Sequence, residues 1–182
     1  MTAVVEERDV AHLGEKTSTF LADDIKASAD YRAAYEHALS VISAEDQPFE
    51  NSPNGLIKHL VHEKMNTREQ CVDAHMLFLK DGGQSGKQRH MWETVIFVAE
   101  GEGYDLHWDV KFDCIDSYHW EWESEPKKNH WQRGDFIYIP PFSIHQHFNT
   151  GKGEARLIVI SNRIVKAMGF NWLDQVENAP GV

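Results

Sequence analysis

Apolar positions change their period near residue 55. From Asp23 to Ile42 the residues Ile25, Ala29, Tyr31, Ala34, Tyr35 and Leu39 recur at helical intervals, and Asp23 and Asp24 supply the acids that favour a helix start. The pattern predicts one helix here, or two short ones. Asp46 to Gly55, with Pro48, Pro53 and Gly55, reads as a loop. Beyond it, Leu56–Val61, Cys71–Leu79, Thr94–Ala99, Tyr104–Phe112, Tyr118–Trp122, Asp135–Ile139 and Arg156–Ser161 read as strands. These runs are rich in β-branched and aromatic residues and are set off by turns such as Asp81–Gly86 and Gly101-Glu102-Gly103. Short strands punctuated in this way predict an all-β sandwich or barrel. Residues from Met1 to Thr19 lack a period and are expected to be loosely ordered or to form an arm that packs on a partner subunit. A short helix is expected around Trp172. The organisation expected is an N-terminal arm and helical extension over 1–55, a β-barrel over 56–163 and a tail over 164–182.

Composition narrows the function classes. A chain of 182 residues with 41% apolar and 26% charged residues has the make-up of a globular domain with its own core. The formal net charge of -11, with no basic cluster, opposes nucleic acid and anionic lipid as partners. No stretch is long and apolar enough to span a bilayer, and the acidic N-terminus does not resemble a secretory signal, so a cytoplasmic protein is expected. Cys71 and Cys114 are the only cysteines and belong to no CxxC pair, which argues against a thiolate zinc site and for two free thiols.

Two segments carry polar residues that a core does not need. The first runs from Gly82 through Gln88, His90, Trp92 and Glu93 to Gly101. The second runs from Gly134 through Pro140, His145 and His147 to Asn149. Side chains two apart on a strand share a face, so Gln88 projects with His90, and His145 with His147 and Asn149. On facing walls of one barrel these groups would meet inside it. A bound cation would offset the burial of several polar groups there, because imidazole nitrogen and carboxylate oxygen both coordinate divalent metals.

The two segments resemble the paired motifs of the cupin superfamily, G-x5-H-x-H-x(3,4)-E-x6-G and G-x5-P-x-G-x2-H-x3-N. The second is matched by Gly134, Pro140, His145 and Asn149, with Phe142 in place of the inner glycine. In the first, Gln88 stands where the family has a histidine, His90 takes the second histidine's place, and Glu93 comes early. The resemblance spans about Leu77 to Asn162. It implies an all-β double-stranded β-helix, a jelly roll, with an N-terminal helical extension and a homodimeric assembly. It further implies that His90, His145 and Glu93 are metal ligands, with Gln88 either a fourth ligand or a hydrogen-bond donor. His147 would manage protons, and Trp92 and Asn149 would lie against a small-molecule substrate.

Two histidines and one carboxylate resemble the ligand set of non-heme Fe(II) enzymes. The expected function is a metal-dependent dioxygenase or other oxygenase acting on a small organic molecule; a preference for an aromatic one is what the partial resemblance to ring-cleaving, gentisate-type cupin dioxygenases implies. Two alternatives stay open: an isomerase, lyase or decarboxylase using Mn, Zn or Ni, and a non-catalytic small-molecule-binding module. Asn149 also has the alternative of stabilising a turn, and Arg89, pointing away from Gln88 and His90, reads as structural. His75 and His107 read as ordinary polar residues.

Overall fold

The alternation of buried and exposed positions that marks the strand segments is what builds the protein. In β5 (Thr94–Glu100), Thr94, Ile96 and Val98 are buried while Val95 faces solvent. In β12 (Ala155–Asn162), Ala155, Leu157, Val159 and Ser161 point inward. The computed structural model describes residues 19–67, 71–113 and 119–181. It divides into two units, Met1–Ala38 and Leu39–Val182. The first contains α1 (Phe20–Glu36), which buries none of its residues. Thr19 donates through its hydroxyl to Asp23 at the start of this helix, 2.7 Å away. The expected N-terminal arm falls almost wholly outside the described residues, as does Cys114. Cys71 is a free, half-buried thiol.

The second unit holds the strands. Six of them form one antiparallel sheet in the order β1 (Glu50–Ser52), β2 (Gly55–Val61), β3 (Val72–Leu79), β12, β5 and β10 (Phe136–Ile139). Five form a second, in the order β13 (Leu173–Glu177), β4 (Lys87–His90), β11 (Ile144–Asn149), β6 (Glu102–Trp108) and β9 (Lys127–Gln132). A hairpin, β7 (Val110–Asp113) and β8 (His119–Trp122), completes the set. Late strands insert between early ones, β12 between β3 and β5 and β11 between β4 and β6, so the structure is a β-sandwich, as the residue pattern predicts, and of the jelly-roll kind that the motif resemblance implies.

Strands run from Glu50 to Glu177, past both ends of the 56–163 span. The helix expected around Trp172 is replaced there by β13. The one helical turn in this region, α2 (Ile164–Ala167), comes earlier. Leu173–Glu177 becomes a strand because the free edge of β4 supplies its hydrogen bonds, a partner that the local sequence does not reveal. Lys127–Gln132 forms β9 by pairing with Glu102–His107 of β6.

The apolar core comes mostly from one sheet. Leu77, Leu79, Ile96, Val98, Ile139 and Leu157 of the six-stranded sheet are buried almost completely. The inward face of the other sheet contributes Trp131 but otherwise presents Asp105, His107, His145 and His147. The sandwich is thus apolar on one wall and polar on the other. Gly101 makes the β5–β6 turn with φ 94, and a Cβ there would stand 2.5 Å from that of Ala155, so no larger residue fits without moving β12.

Candidate functional site

The polar wall opens onto a cavity of about 410 Å³ between the two sheets, of the size that holds a small organic molecule. His90 at the end of β4 and His145 near the start of β11 project into it, with ring centroids 4.9 Å apart and ring planes at 67°. Both rings are buried and held from behind. His90 Nδ1 donates to the Trp92 carbonyl at 2.8 Å, and His145 Nδ1 donates to the Ser143 carbonyl at 3.0 Å. A carbonyl can only accept, so Nδ1 carries the proton and the neutral ring keeps its lone pair on Nε2. The Thr94 hydroxyl lies 3.5 Å from His90 Nε2 and is itself bonded to Ser161 at 3.0 Å. Burial pushes the His90 imidazole down to about 4. Burial, and then the adjacent His90, hold His145 well below the usual imidazole range. Both rings are therefore neutral near pH 7.

His147 lines the same cavity, its ring centroid 5.6 Å from that of His145. Its Nδ1 donates to Asp105 Oδ1 at 2.8 Å. Asp105 lies directly across the ladder from His147, has no exposed surface, and also accepts from Trp131 Nε1 at 2.7 Å. Its second oxygen stands 3.4 Å from His107 Nε2. Burial alone would raise the Asp105 pKa, but the His147 and His107 imidazoles more than offset this and hold the carboxyl below its ordinary range. A carboxylate behind an imidazole fixes the ring's tautomer and orientation.

Trp92 is buried and lines the cavity. The His90 ring stacks on it at 4.7 Å with an interplanar angle of 1°, and the Arg163 guanidinium carbon lies 4.1 Å from its ring centroid. Gln88 also faces the cavity, but its amide nitrogen donates to Gln175 Oε1 on β13 at 2.6 Å, which leaves the carbonyl oxygen as its free polar atom. Arg89, pointing to the other side of β4, pairs with Asp174 at 2.7 Å and lies 4.2 Å from the Trp122 ring.

Two expected site residues lie elsewhere. Glu93 is exposed and accepts from the Tyr138 hydroxyl at 3.4 Å on the outside of the sheet. Strand alternation explains this placement: Thr94, the next residue, takes the inward position. Asn149 is buried, but its amide donates to the carbonyls of Leu79, Lys80 and Gly153 at 3.0, 3.0 and 2.8 Å, and its oxygen accepts from Gly151 N at 3.0 Å. It ties the end of β11 to two turns and does not line the cavity. Asn149→Ala is expected to destabilise the fold by about 2 kcal/mol in urea unfolding, because several buried backbone groups lose their partner.

Phe142 stands at the position of the missing motif glycine and adopts φ 64. Its N–H donates to the His90 carbonyl at 2.7 Å, and its own carbonyl accepts from Trp122 Nε1 at 2.8 Å. Left-handed backbone at a bulky residue is strained. Here the hydrogen bonds and the flanking rings of Trp120 and Trp172, each 5.7 Å away, hold it in place.

Residues passed over in the sequence also reach the cavity: His59, His62, His75, Asp73 and Arg163 line it. Asp105 and His107 lie beneath it. Their signal is an acid and a histidine two apart within Tyr104-Asp105-Leu106-His107, at alternate positions of a strand. The donor chemistry suits a divalent cation, since neutral imidazole lone pairs bind Zn, Cu, Fe and Ni. Geometrically the facing rings form a pair. Among the described residues no group of three or more His, Cys, Asp or Glu side chains stands close enough to hold one ion together.

No protein-family model matches this chain, and no similar sequence is found among curated proteins. Solved structures do resemble it. Peruvianin-I, a cysteine peptidase from Thevetia peruviana latex, aligns with a TM-score of 0.55 at 16% identity, over 78% of this chain and 81% of the other. A variant of Bacillus subtilis oxalate decarboxylase aligns with a TM-score of 0.56 at 13% identity, over 76% and 33%. Vicilin from hazelnut, Corylus avellana, aligns with a TM-score of 0.53 at 14% identity, over 73% and 34%. The chain spans about a third of the length of the last two. A peptidase, a decarboxylase and a vicilin share this architecture, so the chemistry has to be argued from the site.

Proposed function

We propose, from the cupin fold that this chain has, that it is a metal-dependent enzyme acting on a small organic substrate bound between the two sheets. The observation that carries the reading is the facing pair of buried, neutral imidazoles, His90 and His145, each with Nδ1 committed to a carbonyl and Nε2 left toward a cavity. A pair of lone pairs in a desolvated pocket is an arrangement that a divalent cation stabilises. Glu93 lies on the outer surface, and Asp73, the carboxylate that does line the cavity, is paired with Arg163, so the reading rests on imidazole ligands. Fe(II) remains in the range of metals that imidazole suits, beside Zn, Ni and Cu.

A metal held there would supply a Lewis acid, or in the oxygenase form of the reading a site for O2 and substrate oxygens side by side. The rest of the work falls to the chain. Ile57, Ile96 and Val159 of the apolar wall line the cavity and exclude water. Asp105 orients His147, which is placed to give or take a proton at Nε2. Gln88 presents an amide oxygen. Trp92 supports His90 by stacking, so its role is to position that ring.

The test is elemental analysis of protein purified without a tag, beside thermal unfolding with added Zn²⁺, Mn²⁺ or Fe²⁺. About one divalent ion per chain is expected, with a rise in midpoint equivalent to about 4 kcal/mol at a thousandfold excess over Kd. Metal-free protein with a midpoint indifferent to all three ions would overturn the reading. Glu93→Gln is expected to leave metal content unchanged, and loss of metal in that variant would return the carboxylate to the ligand set.

A further inference from the structure

The cavity has a second imidazole wall that the proposed metal site leaves idle. His59 on β2 and His75 on β3 are direct cross-strand partners, and His62 follows β2. Their ring centroids stand 5.0 Å (His59 to His62) and 6.3 Å (His59 to His75) apart, and all three line the cavity. They come from the six-stranded sheet, whereas His90 and His145 come from the five-stranded one. Packed sheets stand roughly 10 Å apart, so the two walls bracket a molecule of small organic size.

Hydrogen bonding assigns each ring a different role. His59 Nε2 donates to the Glu50 carboxylate at 2.8 Å, which leaves Nδ1 as an acceptor. His62 Nδ1 accepts from Lys64 N at 3.0 Å, so its proton lies on Nε2, a donor. That spends the lone pair of His62 and makes the trio a poor cation site. The His75 ring has no hydrogen bond to any described residue, and burial holds it neutral, its pKa lowered to about 4. A neutral ring offers one N–H and one lone pair. The wall therefore mixes donors and acceptors and carries no free positive charge. Arg163 is matched by Asp73 at 2.9 Å, and behind His59 stands a carboxylate. Buried polar atoms without partners are costly unless a ligand or water meets them. A hydroxyl, which both donates and accepts, suits this wall. A carboxylate only accepts and would share the cavity with Asp73.

We propose that His59, His62 and His75 form a recognition subsite for the neutral, hydroxyl-bearing end of a substrate whose other end faces His90 and His145. Its far end rests on the metal reading above. The experiment uses three catechols substituted para to one hydroxyl with methyl, hydroxymethyl or carboxylate, titrated calorimetrically into zinc-loaded protein. The hydroxymethyl probe is expected to bind about fivefold more tightly than the methyl probe, the worth of one neutral hydrogen bond, and more tightly than the carboxylate. His75→Phe should erase that preference while leaving the methyl probe's affinity unchanged, and His75→Gln, which keeps a donor and an acceptor, should retain most of it. Equal binding of the methyl and hydroxymethyl probes by native protein overturns the subsite, as does tightest binding of the carboxylate or no binding of any probe. The native ratio decides this even where a variant fails to fold. Repeating the titration after chelation separates the two ideas. A preference that persists without zinc supports the subsite and counts against the metal reading, whereas zinc-dependent binding without preference does the reverse.

Discussion

His145→Ala is expected to strip the protein of most of its divalent metal, with affinity falling by more than about 100-fold, beyond the usual effect of changing a residue that only orients a ligand. Two features make His145 the sharper of the two histidines to test. Its ring has Nδ1 fixed by the Ser143 carbonyl, and its place near the start of β11, the middle strand of its sheet, sets it 4.9 Å from His90 and 5.6 Å from His147 by ring centroid. Removing it breaks the pair and leaves, among the described residues, no second imidazole at that distance from His90. The measurement is elemental analysis of native and variant proteins prepared side by side, with circular dichroism to establish that the variant is folded. Unchanged metal content in a folded variant would place any bound ion elsewhere and remove the basis of the enzymatic reading.

Acid is expected to destabilise the metal-free fold well before carboxylates titrate. Burial holds His75 and His90 down to about 4 against 6.5 for a solvated imidazole, and pushes His145 in the same direction. The folded state thus binds fewer protons than the unfolded chain in this window. The stabilisation is complete above pH 6.5 and is lost as pH falls toward 4. For His90 alone the shift corresponds to about 3 kcal/mol, a large share of the stability of an ordinary domain. Asp105 acts lower down: its carboxyl is depressed from 3.8, so its contribution is present above that pH and lost only beneath it. Thermal midpoints measured with chelator present should fall steadily between pH 6.5 and 4. A flat profile over that range would mean that these imidazoles are solvated and do not line a closed cavity.

Much of the architecture is legible in the residues because strand alternation is a local property. Thr94, Ile96 and Val98 inward against Val95 outward, or Leu157 and Val159 against Arg156, can be read one strand at a time. The same rule paired Gln88 with His90 and His145 with His147, but the two pairs sit on neighbouring strands of one sheet and share its inward face, instead of meeting from facing walls as expected. The rule also places Glu93: three residues after His90 and one before Thr94, it has the outward parity and emerges into solvent, against the ligand role that the motif implied. Parity alone does not fix a residue's role. Asn149 keeps the inward parity of β11, yet it lies at the strand's end, where turn carbonyls claim its amide before any cavity does.

The unread half of the site belongs to pairing across the fold. His59 and His75 are sixteen positions apart and become neighbours only through the β2–β3 register. Asp105 and His147 meet because β11 inserts beside β6, and Gln175 reaches Gln88 because β13 adds to the free edge of β4. What the sequence determined by itself was a strand-rich sandwich or barrel, from its two-residue period, and the resemblance to the cupin motifs, which implied the jelly roll and the meeting of His90 and His145. What only the tertiary structure decided was which other groups share their cavity and which are shut out. Strand order sets long-range neighbours, and no local period encodes it.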